Sequence, residues 1–138
     1  MTRIKDWELA NLTNEQKEIH DSIVNGPRGH VVGPLRIWLN NPGLAKSAQT
    51  VGAYARYGTS LPQALSELAI LTTGRVWSSE FEWEHHAPLA IEGGIDPKHV
   101  ETISLGKRPL FENQNEQAVF DFAAEANILK NVTDKTYR

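Results

Sequence analysis

The segment LPQALSELAILTTGRVWSSEFEWEHHAP, residues 61–88, carries the strongest folding signal in the chain. When residues 61–76 are projected at 100° per residue, apolar side chains cover most of the helix circumference. This pattern predicts a helix that is buried on nearly all sides, with a capping box over residues 60–63 at its start. A second helix is predicted to follow it, from about residue 78 to residue 93.

Helix-start signals and segments rich in glycine and proline divide the rest of the chain into predicted helices and loops. Thr13-Asn-Glu-Gln16 is a capping box that predicts a helix to about Val24. Further helices are predicted over residues 34–40, 43–57, 96–104 and 113–130. The last of them has an apolar side made of Val119, Phe122, Ala123, Ala126 and Leu129. Since no stretch alternates between apolar and polar residues as a strand would, the sequence predicts an all-α fold.

Length and composition limit the possible functions. The 138 residues suit a single domain over residues 1–138, and a net charge of −3 lacks the basic character of nucleic-acid-binding proteins. No apolar window reaches the roughly 18 residues of a membrane span, and the first residues lack a signal-peptide pattern. We therefore expect a cytoplasmic protein with no nucleic-acid or membrane partner. The absence of cysteine excludes disulfides, thiolate ligands and thiol nucleophiles.

Glu82 and His86 form the densest candidate for an acid/base site. Residues four apart on a helix share one face, and a carboxylate within reach of an imidazole can orient it for proton transfer. Glu82 also completes a capping-box pattern with Ser79, so a structural role at the helix start fits the same residues.

Glu67 is a second candidate because it falls inside the apolar arc of its helix. A carboxylate in such a position is costly unless it is paired or functional. Two interpretations fit: a functional carboxylate, or a buried partner for Arg75 or another cation. Nitrogen and oxygen ligands for a metal are present nearby, but the HExxH spacing is missing, so we expect no dedicated metal site.

Several segments of the chain together resemble one known family. They are Gly33-Pro-Leu-Arg-Ile-Trp-Leu-Asn-Asn-Pro42, Leu65-Ser-Glu-Leu-Ala-Ile-Leu71, Trp77-Ser-Ser-Glu-Phe-Glu-Trp-Glu-His-His-Ala-Pro-Leu-Ala90, Gly94-Ile-Asp-Pro97 and the aromatic-rich last helix. Over about residues 26–130 the chain resembles the carboxymuconolactone decarboxylase-like / alkylhydroperoxidase D-like superfamily. The resemblance implies a bundle of about six to seven helices that assembles into homo-oligomers, commonly trimers or hexamers.

In the alkylhydroperoxidase D branch, a glutamate on one helix serves a C-x-x-C motif and a histidine on the next. Glu67 matches that glutamate and His86 that histidine, while Ser79 and Glu82 stand where the cysteines would be. The resemblance therefore implies that the ends of a proton relay are kept and both redox sulfurs are lost. A thiol peroxidase cycle needs a sulfenic acid and a resolving thiol, so that activity is excluded.

The decarboxylase branch acts on a small carboxylated lactone without thiols or metal. The resemblance implies a cofactor-free acid/base enzyme of the lyase or isomerase type, with Glu67, Glu82 and His86 as catalytic residues. The candidate substrate-binding side chains are three tryptophans and one loop histidine: Trp38, Trp77, Trp83 and His30. The alternatives are a non-catalytic binding or assembly protein with the same fold, and a metal-dependent enzyme.

Overall fold

The computed structural model describes residues 3, 4 and 6–138, and all of the regular structure in these residues is helical. In chain order the α-helices are α1 (Asn14–Val24), α2 (Pro34–Trp38), α3 (Pro42–Ala53), α4 (Gln63–Val76), α5 (Glu80–Glu92), α6 (Pro97–Ser104), α7 (Gln114–Ile128) and α8 (Asp134–Tyr137). A 3₁₀ turn, Leu9–Asn11, precedes α1, and a π-helical turn, Tyr54–Gly58, continues α3. Over the described residues the predicted all-α class is therefore confirmed.

The chain folds into two compact units, and the boundary between them follows Thr59. In the first unit, α1, α2 and α3 surround a small apolar core. Its buried members are Ile19, Ile23, Val31, Leu35, Leu39 and Ala45. The predicted capping box of α1 is present: Thr13 Oγ1 accepts from the Gln16 N–H at 3.3 Å, and the Gln16 side chain accepts from the Thr13 N–H at 2.9 Å. This reciprocal pair satisfies two backbone donors at the start of the helix.

The second unit, Ser60–Arg138, is built around α4, which contacts α5, α6 and α7, while α8 packs on α7. The core of this unit consists of Leu68, Leu71, Ala90, Ile95, Val100, Ile103 and Phe120. Because three helices pack around α4, it needs apolar side chains on most of its circumference. The wide apolar arc read from residues 61–76 is thus explained by the central position of this helix.

The start of α4 differs from the prediction. The helix begins at Gln63 with Pro62 in the capping position, and no side chain caps it, so the capping box expected over residues 60–63 does not form. By contrast, Asp96 caps α6 as expected, accepting from the Lys98 N–H at 2.8 Å. Proline follows that aspartate at the first helical position, where its missing N–H costs nothing.

The inward face of α7 is only partly the predicted one. Ala123 is buried as predicted and Phe120 is buried in addition, whereas Phe122 is 45% and Leu129 is 58% exposed. The described residues form eight α-helices instead of the expected six to seven, because α8 follows the last predicted helix. Among the described residues, no helix combines the length and the apolar character that crossing a bilayer requires.

Candidate active site

Glu67 and His86 form a hydrogen-bonded pair where α4 meets α5. The Glu67 Oε2 atom lies 2.5 Å from His86 Nδ1, and the two side chains are 0% and 7% exposed. The buried position predicted for Glu67 is therefore confirmed. A carboxylate removed from water needs a donor, and an imidazole N–H supplies one here.

Glu82 approaches the other nitrogen of the same imidazole from the preceding turn of α5. Its Oε2 atom lies 3.2 Å from His86 Nε2, and its side chain is 33% exposed. Ser79, at the N-cap of α5, makes no side-chain capping hydrogen bond, so the capping-box interpretation of Glu82 is wrong. The spacing of four residues instead brings the carboxylate onto the imidazole.

Arg75 is not the buried cation that pairs with Glu67. The Arg75 Nε group donates to the Ser104 carbonyl oxygen at 2.8 Å, which ties the end of α4 to the end of α6. Tertiary packing thus pairs Glu67 with an imidazole on the next helix, 19 residues away in sequence.

Gly74 permits the close approach of α4 and α5 beside Glu82. A Cβ atom on this buried glycine would lie 3.3 Å from the Glu82 Cβ atom, which is tighter than ordinary van der Waals contact. Any side chain at position 74 would therefore press on the turn of α5 that carries Glu82. The absence of a side chain at Gly74 thus allows the two helices to pack closely at Glu82.

The site places one imidazole between two carboxylates of unequal exposure. Each nitrogen–oxygen contact is favourable when a proton lies between the two atoms, and an imidazolium, with an N–H on both nitrogens, satisfies both contacts. The Nδ1 atom faces the fully buried Glu67, which fixes the orientation of the ring. The Nε2 atom faces the partly exposed Glu82. The geometry allows a proton to be exchanged at Nε2 while the Nδ1 contact holds the ring in place.

Aromatic side chains of α5 lie beside this imidazole. His85 stacks on Phe81 with ring centroids 5.9 Å apart, and it stands edge-on to His86 at 4.9 Å. Phe81 is 43% exposed. His85 therefore contacts both Phe81 and His86 through its ring.

Two of the predicted substrate-binding tryptophans lie in the second unit. Trp83 is half-buried against its core, while Trp77 is 64% exposed. The Trp77 indole N–H donates to Asn127 Oδ1 at 2.8 Å, and Lys130 Nζ lies 4.3 Å from the ring centroid. These contacts link the end of α4 to α7, as hydrogen bonding and a cation–π contact allow. The substrate-binding roles of both tryptophans stay predictions.

The other two candidate substrate-binding residues belong to the first unit. Trp38, at the end of α2, packs against the core of that unit. His30 occupies an exposed position between α1 and α2. A role for either residue toward a substrate stays a prediction.

A second histidine–glutamate pair was not predicted from the sequence. His99 Nδ1 on α6 lies 3.1 Å from Glu116 Oε2 on α7, and the His99 ring stands edge-on to Phe111. The two partners are 17 residues apart on different helices, so no spacing within one helix points to them. This pair offers a matched comparison for Glu67 and His86 within the same unit.

Metal-ligand geometry is missing from the described residues: no group of three or more His, Cys, Asp or Glu side chains among them is arranged to hold a metal ion. At His86 both ring nitrogens face carboxylate oxygens. A histidine ligand, in contrast, directs one nitrogen to the metal and the other to a neighbouring acceptor.

Comparisons of the chain with protein-family models, with curated proteins and with solved structures give no match. The geometry around His86 therefore carries the functional argument.

Proposed function

We propose that this chain is a cysteine-free protein of the carboxymuconolactone decarboxylase-like / alkylhydroperoxidase D-like kind, and that it is a cofactor-free acid/base enzyme. The supporting observation is the imidazole of His86, which lies 2.5 Å from a buried carboxylate and 3.2 Å from a partly exposed one. Glu67 and His86 occupy the positions that the sequence resemblance assigns to the ends of a proton relay, and Glu82 stands at one of the two cysteine positions. A small carboxylated or lactone substrate is the proposed reactant.

In this proposal the three side chains have different tasks. Glu67 is a positioning residue that holds the imidazole through Nδ1 and stabilises its positive form, as the buried carboxylate of a catalytic triad does. His86 is the general acid/base and acts through Nε2. Glu82 exchanges the proton between Nε2 and the outside, since it is the more exposed of the two carboxylates. Such proton transfer is worth roughly 10²–10⁴-fold in rate.

The proposed lyase step balances without a metal or a thiol. When the carboxylate of a β-keto acid leaves as carbon dioxide, its electron pair stays on the adjacent carbon as an enolate. The Nε2–H of His86 donates its proton to that carbon, and the imidazole regains a proton from water by way of Glu82. An isomerase step uses the same atoms, with removal of the proton from carbon first and its return at a new position.

A peroxidase function is not proposed. The chain of 138 residues contains no cysteine, so it has no thiolate to oxidise to a sulfenic acid and no thiol to resolve it. A peroxiredoxin-like label taken over from the superfamily would therefore name a chemistry for which this chain lacks the atoms.

A homo-oligomer, a trimer or a hexamer, is part of the proposal. The apolar side chains exposed along α3 and its continuation support it: Leu44 is 49%, Val51 is 70% and Tyr54 is 68% exposed. Contiguous exposed apolar surface of this kind marks interaction sites. Sedimentation equilibrium tests it: the wild-type protein is expected to be oligomeric, and Val51→Glu is expected to shift it toward monomer. A wild-type protein that stays monomeric at high concentration would remove this part of the proposal.

The catalytic proposal is tested with acetoacetate, oxaloacetate and paraconate as probes in D₂O. Proton NMR follows both decarboxylation and exchange of C–H for C–D, so proton transfer is detected even without net turnover. We expect at least one probe to react, and we expect His86→Gln to lower the rate by about 10²-fold or more. Glu67→Gln keeps the shape of the side chain and an acceptor oxygen, so it should fold and still lose most of the activity.

His99→Gln is the matched control, because it removes a histidine from a second histidine–glutamate pair in the same unit. It should leave the rate unchanged. Full activity in a folded His86→Gln variant would end the catalytic proposal. Binding of a probe without any decarboxylation or exchange would instead favour a non-catalytic binding protein with the same fold.

A further inference from the structure

A cavity of about 300 Å³ lies in the second unit, between the C-terminal half of α4, the end of α6 and the following loop, and the middle of α7. None of Glu67, Glu82 and His86 lines it. Its apolar wall consists of Val76, Ile103, Phe120, Ala124 and Ile128. The volume is at the lower end of the range for small-molecule sites, and a mostly apolar lining with a few polar groups is their usual character.

The two carboxylates at this cavity are already engaged by protein groups. Asp121 accepts from both Arg108 Nε and Arg108 Nη2 at 2.8 Å, and this hydrogen bonding raises the pKa of Arg108. Glu125 accepts from the Thr136 hydroxyl at 2.7 Å and from the Thr133 N–H at 2.8 Å. Asp121 is therefore neutralised by Arg108, while Glu125 keeps its negative charge among neutral donors.

Arg75 and Lys107 have no ion-pair partner of this kind. The Arg75 Nε group donates to the Ser104 carbonyl oxygen, and among the described residues no carboxylate lies within ion-pair distance of either Arg75 or Lys107. Gly106 has a φ of +71°, and a Cβ atom there would lie 3.1 Å from Arg75 Nη2. The terminal nitrogens of Arg75 thus lie against bare backbone at the cavity wall, with no side chain at position 106 to cover them.

We propose that this cavity is a second binding site, for a small organic acid with a single carboxylate and an apolar body. The carboxylate binds the terminal nitrogens of Arg75, with Lys107 adding positive charge, and the body lies on Ile103, Phe120 and Ala124. Arginine presents two parallel donors that match a carboxylate. A second negative charge on the ligand is disfavoured, because Asp121 and Glu125 border the same cavity. The site does not depend on the chemistry proposed for His86.

The test is titration of the full chain with octanoate, followed by backbone NMR shifts and isothermal calorimetry. The controls are 1-octanol, which lacks the charge, and octylammonium, which reverses it. We expect octanoate to bind about tenfold or more tightly than 1-octanol, as a charged hydrogen bond provides. Shift changes should centre on residues 103–108 and 120–128, and octylammonium should not bind there.

Variants separate the charge from the apolar wall. Arg75→Gln should weaken octanoate binding about tenfold and leave 1-octanol binding unchanged, whereas Arg75→Lys should keep part of the preference for the anion. Ala124→Leu fills the cavity and should weaken both ligands. Lys98→Gln, which removes an exposed cation at the start of α6 outside the cavity, is the matched control and should change neither.

Three outcomes would overturn the proposal. One is equal affinity for octanoate and 1-octanol, and another is octanoate binding that Arg75→Gln leaves intact. The third is a self-association that covers residues 120–128 and competes with octanoate, since a second copy of the chain would then be the occupant. Octanoate binding that is unchanged in His86→Gln would confirm that this site is independent of the proposed active site.

Discussion

The Glu67 carboxylate and the His86 imidazole face each other at 2.5 Å across the α4–α5 contact, with both side chains buried. Forming such a pair costs desolvation free energy, because both groups leave water. Removing one partner costs more, because the other polar group then stays in the interior without it. The pair also gives His86 one fixed orientation, which leaves Nε2 to interact with Glu82. Stability and chemistry are therefore coupled at this residue.

Removal of the His86 side chain should destabilise the second unit strongly. We expect His86→Ala to lower the free energy of unfolding by about 3–5 kcal/mol, the range for breaking a buried pair by removing one partner. His99→Ala should cost less, since the His99 and Glu116 side chains keep 17% and 13% exposure. Urea unfolding followed by circular dichroism measures both values. Equal losses for the two variants would mean that Glu67 and His86 are not the more strongly coupled pair.

Glu82→Gln should separate chemistry from stability. The Glu82 side chain is 33% exposed and its contact with His86 is an ion pair at 3.2 Å, so we expect a loss of about 1 kcal/mol or less. The rate of C–H exchange on a reactive probe should fall by much more than this small loss of stability would explain. A variant that loses stability but keeps its rate would show that Glu82 only supports the fold. Glu84→Gln, an exposed position on the same helix, is the control.

Gly74→Ala should destabilise the second unit although alanine is the better helix former. Helix propensity alone favours alanine by about 1 kcal/mol. The new methyl group would lie 3.3 Å from the Glu82 Cβ atom, and overpacking of this kind costs about 1–3 kcal/mol. We therefore expect a net loss in urea unfolding and a change in the His86 NMR signals. A net gain in stability would show that α5 can move away freely and that Gly74 does not position Glu82.

Two N-cap residues offer a matched pair of substitutions. Thr13 Oγ1 accepts from the Gln16 N–H, so Thr13→Ala should cost about 1 kcal/mol at α1. Ser79 makes no capping hydrogen bond, so Ser79→Ala should cost close to nothing at α5. Amide hydrogen exchange in the first turn of each helix measures the two effects separately. A large destabilising effect of Ser79→Ala would mean that Ser79 and Glu82 do form a capping box at the start of α5.

Glu125 should make the contact between α7 and α8 sensitive to acid. Hydrogen bonds from the Thr136 hydroxyl and the Thr133 N–H lower the pKa of Glu125 below its ordinary value of 4.5. A carboxyl group whose pKa is lowered by folding adds stability above its unfolded pKa, and that stability is lost as the pH falls through the folded value. The contact should therefore be intact above about pH 4.5 and weaken below it.

The NMR signals of Thr133 and Thr136 report this transition directly. In the wild-type protein they should shift as the pH falls below 4.5, and in Glu125→Gln this pH dependence should disappear. Glu101→Gln, at an exposed position of α6, should leave the transition unchanged. Thr133 and Thr136 signals that stay constant to pH 2 would contradict the assignment of these hydrogen bonds to an ionised Glu125.

Local sequence patterns were sufficient to predict where several of the helices begin. The capping box at Thr13 and the Asp96-Pro97 start of α6 form as read from the sequence, and α7 begins next to Asn113, where a helix was predicted to start. Such signals are short-range, since the residues that satisfy the free backbone groups are at most three positions away. At Ser60 and Ser79 the same four-residue pattern is present, but no side-chain capping hydrogen bond forms. The pattern shows only that the side chains could make such a bond, not that they do.

The sequence by itself determined the all-α class, the burial of Glu67 and the fact that Glu82 and His86 share a face of α5. It also excluded thiol chemistry, because an absent residue type needs no structure to interpret. Only the tertiary structure decided which group would satisfy the buried carboxylate: His86 rather than Arg75. The same holds for the pairing of His99 with Glu116 and for the position of Arg75 at the cavity wall. These contacts join residues on different helices, and their partners follow from how the helices pack, which periodicity along one helix does not encode.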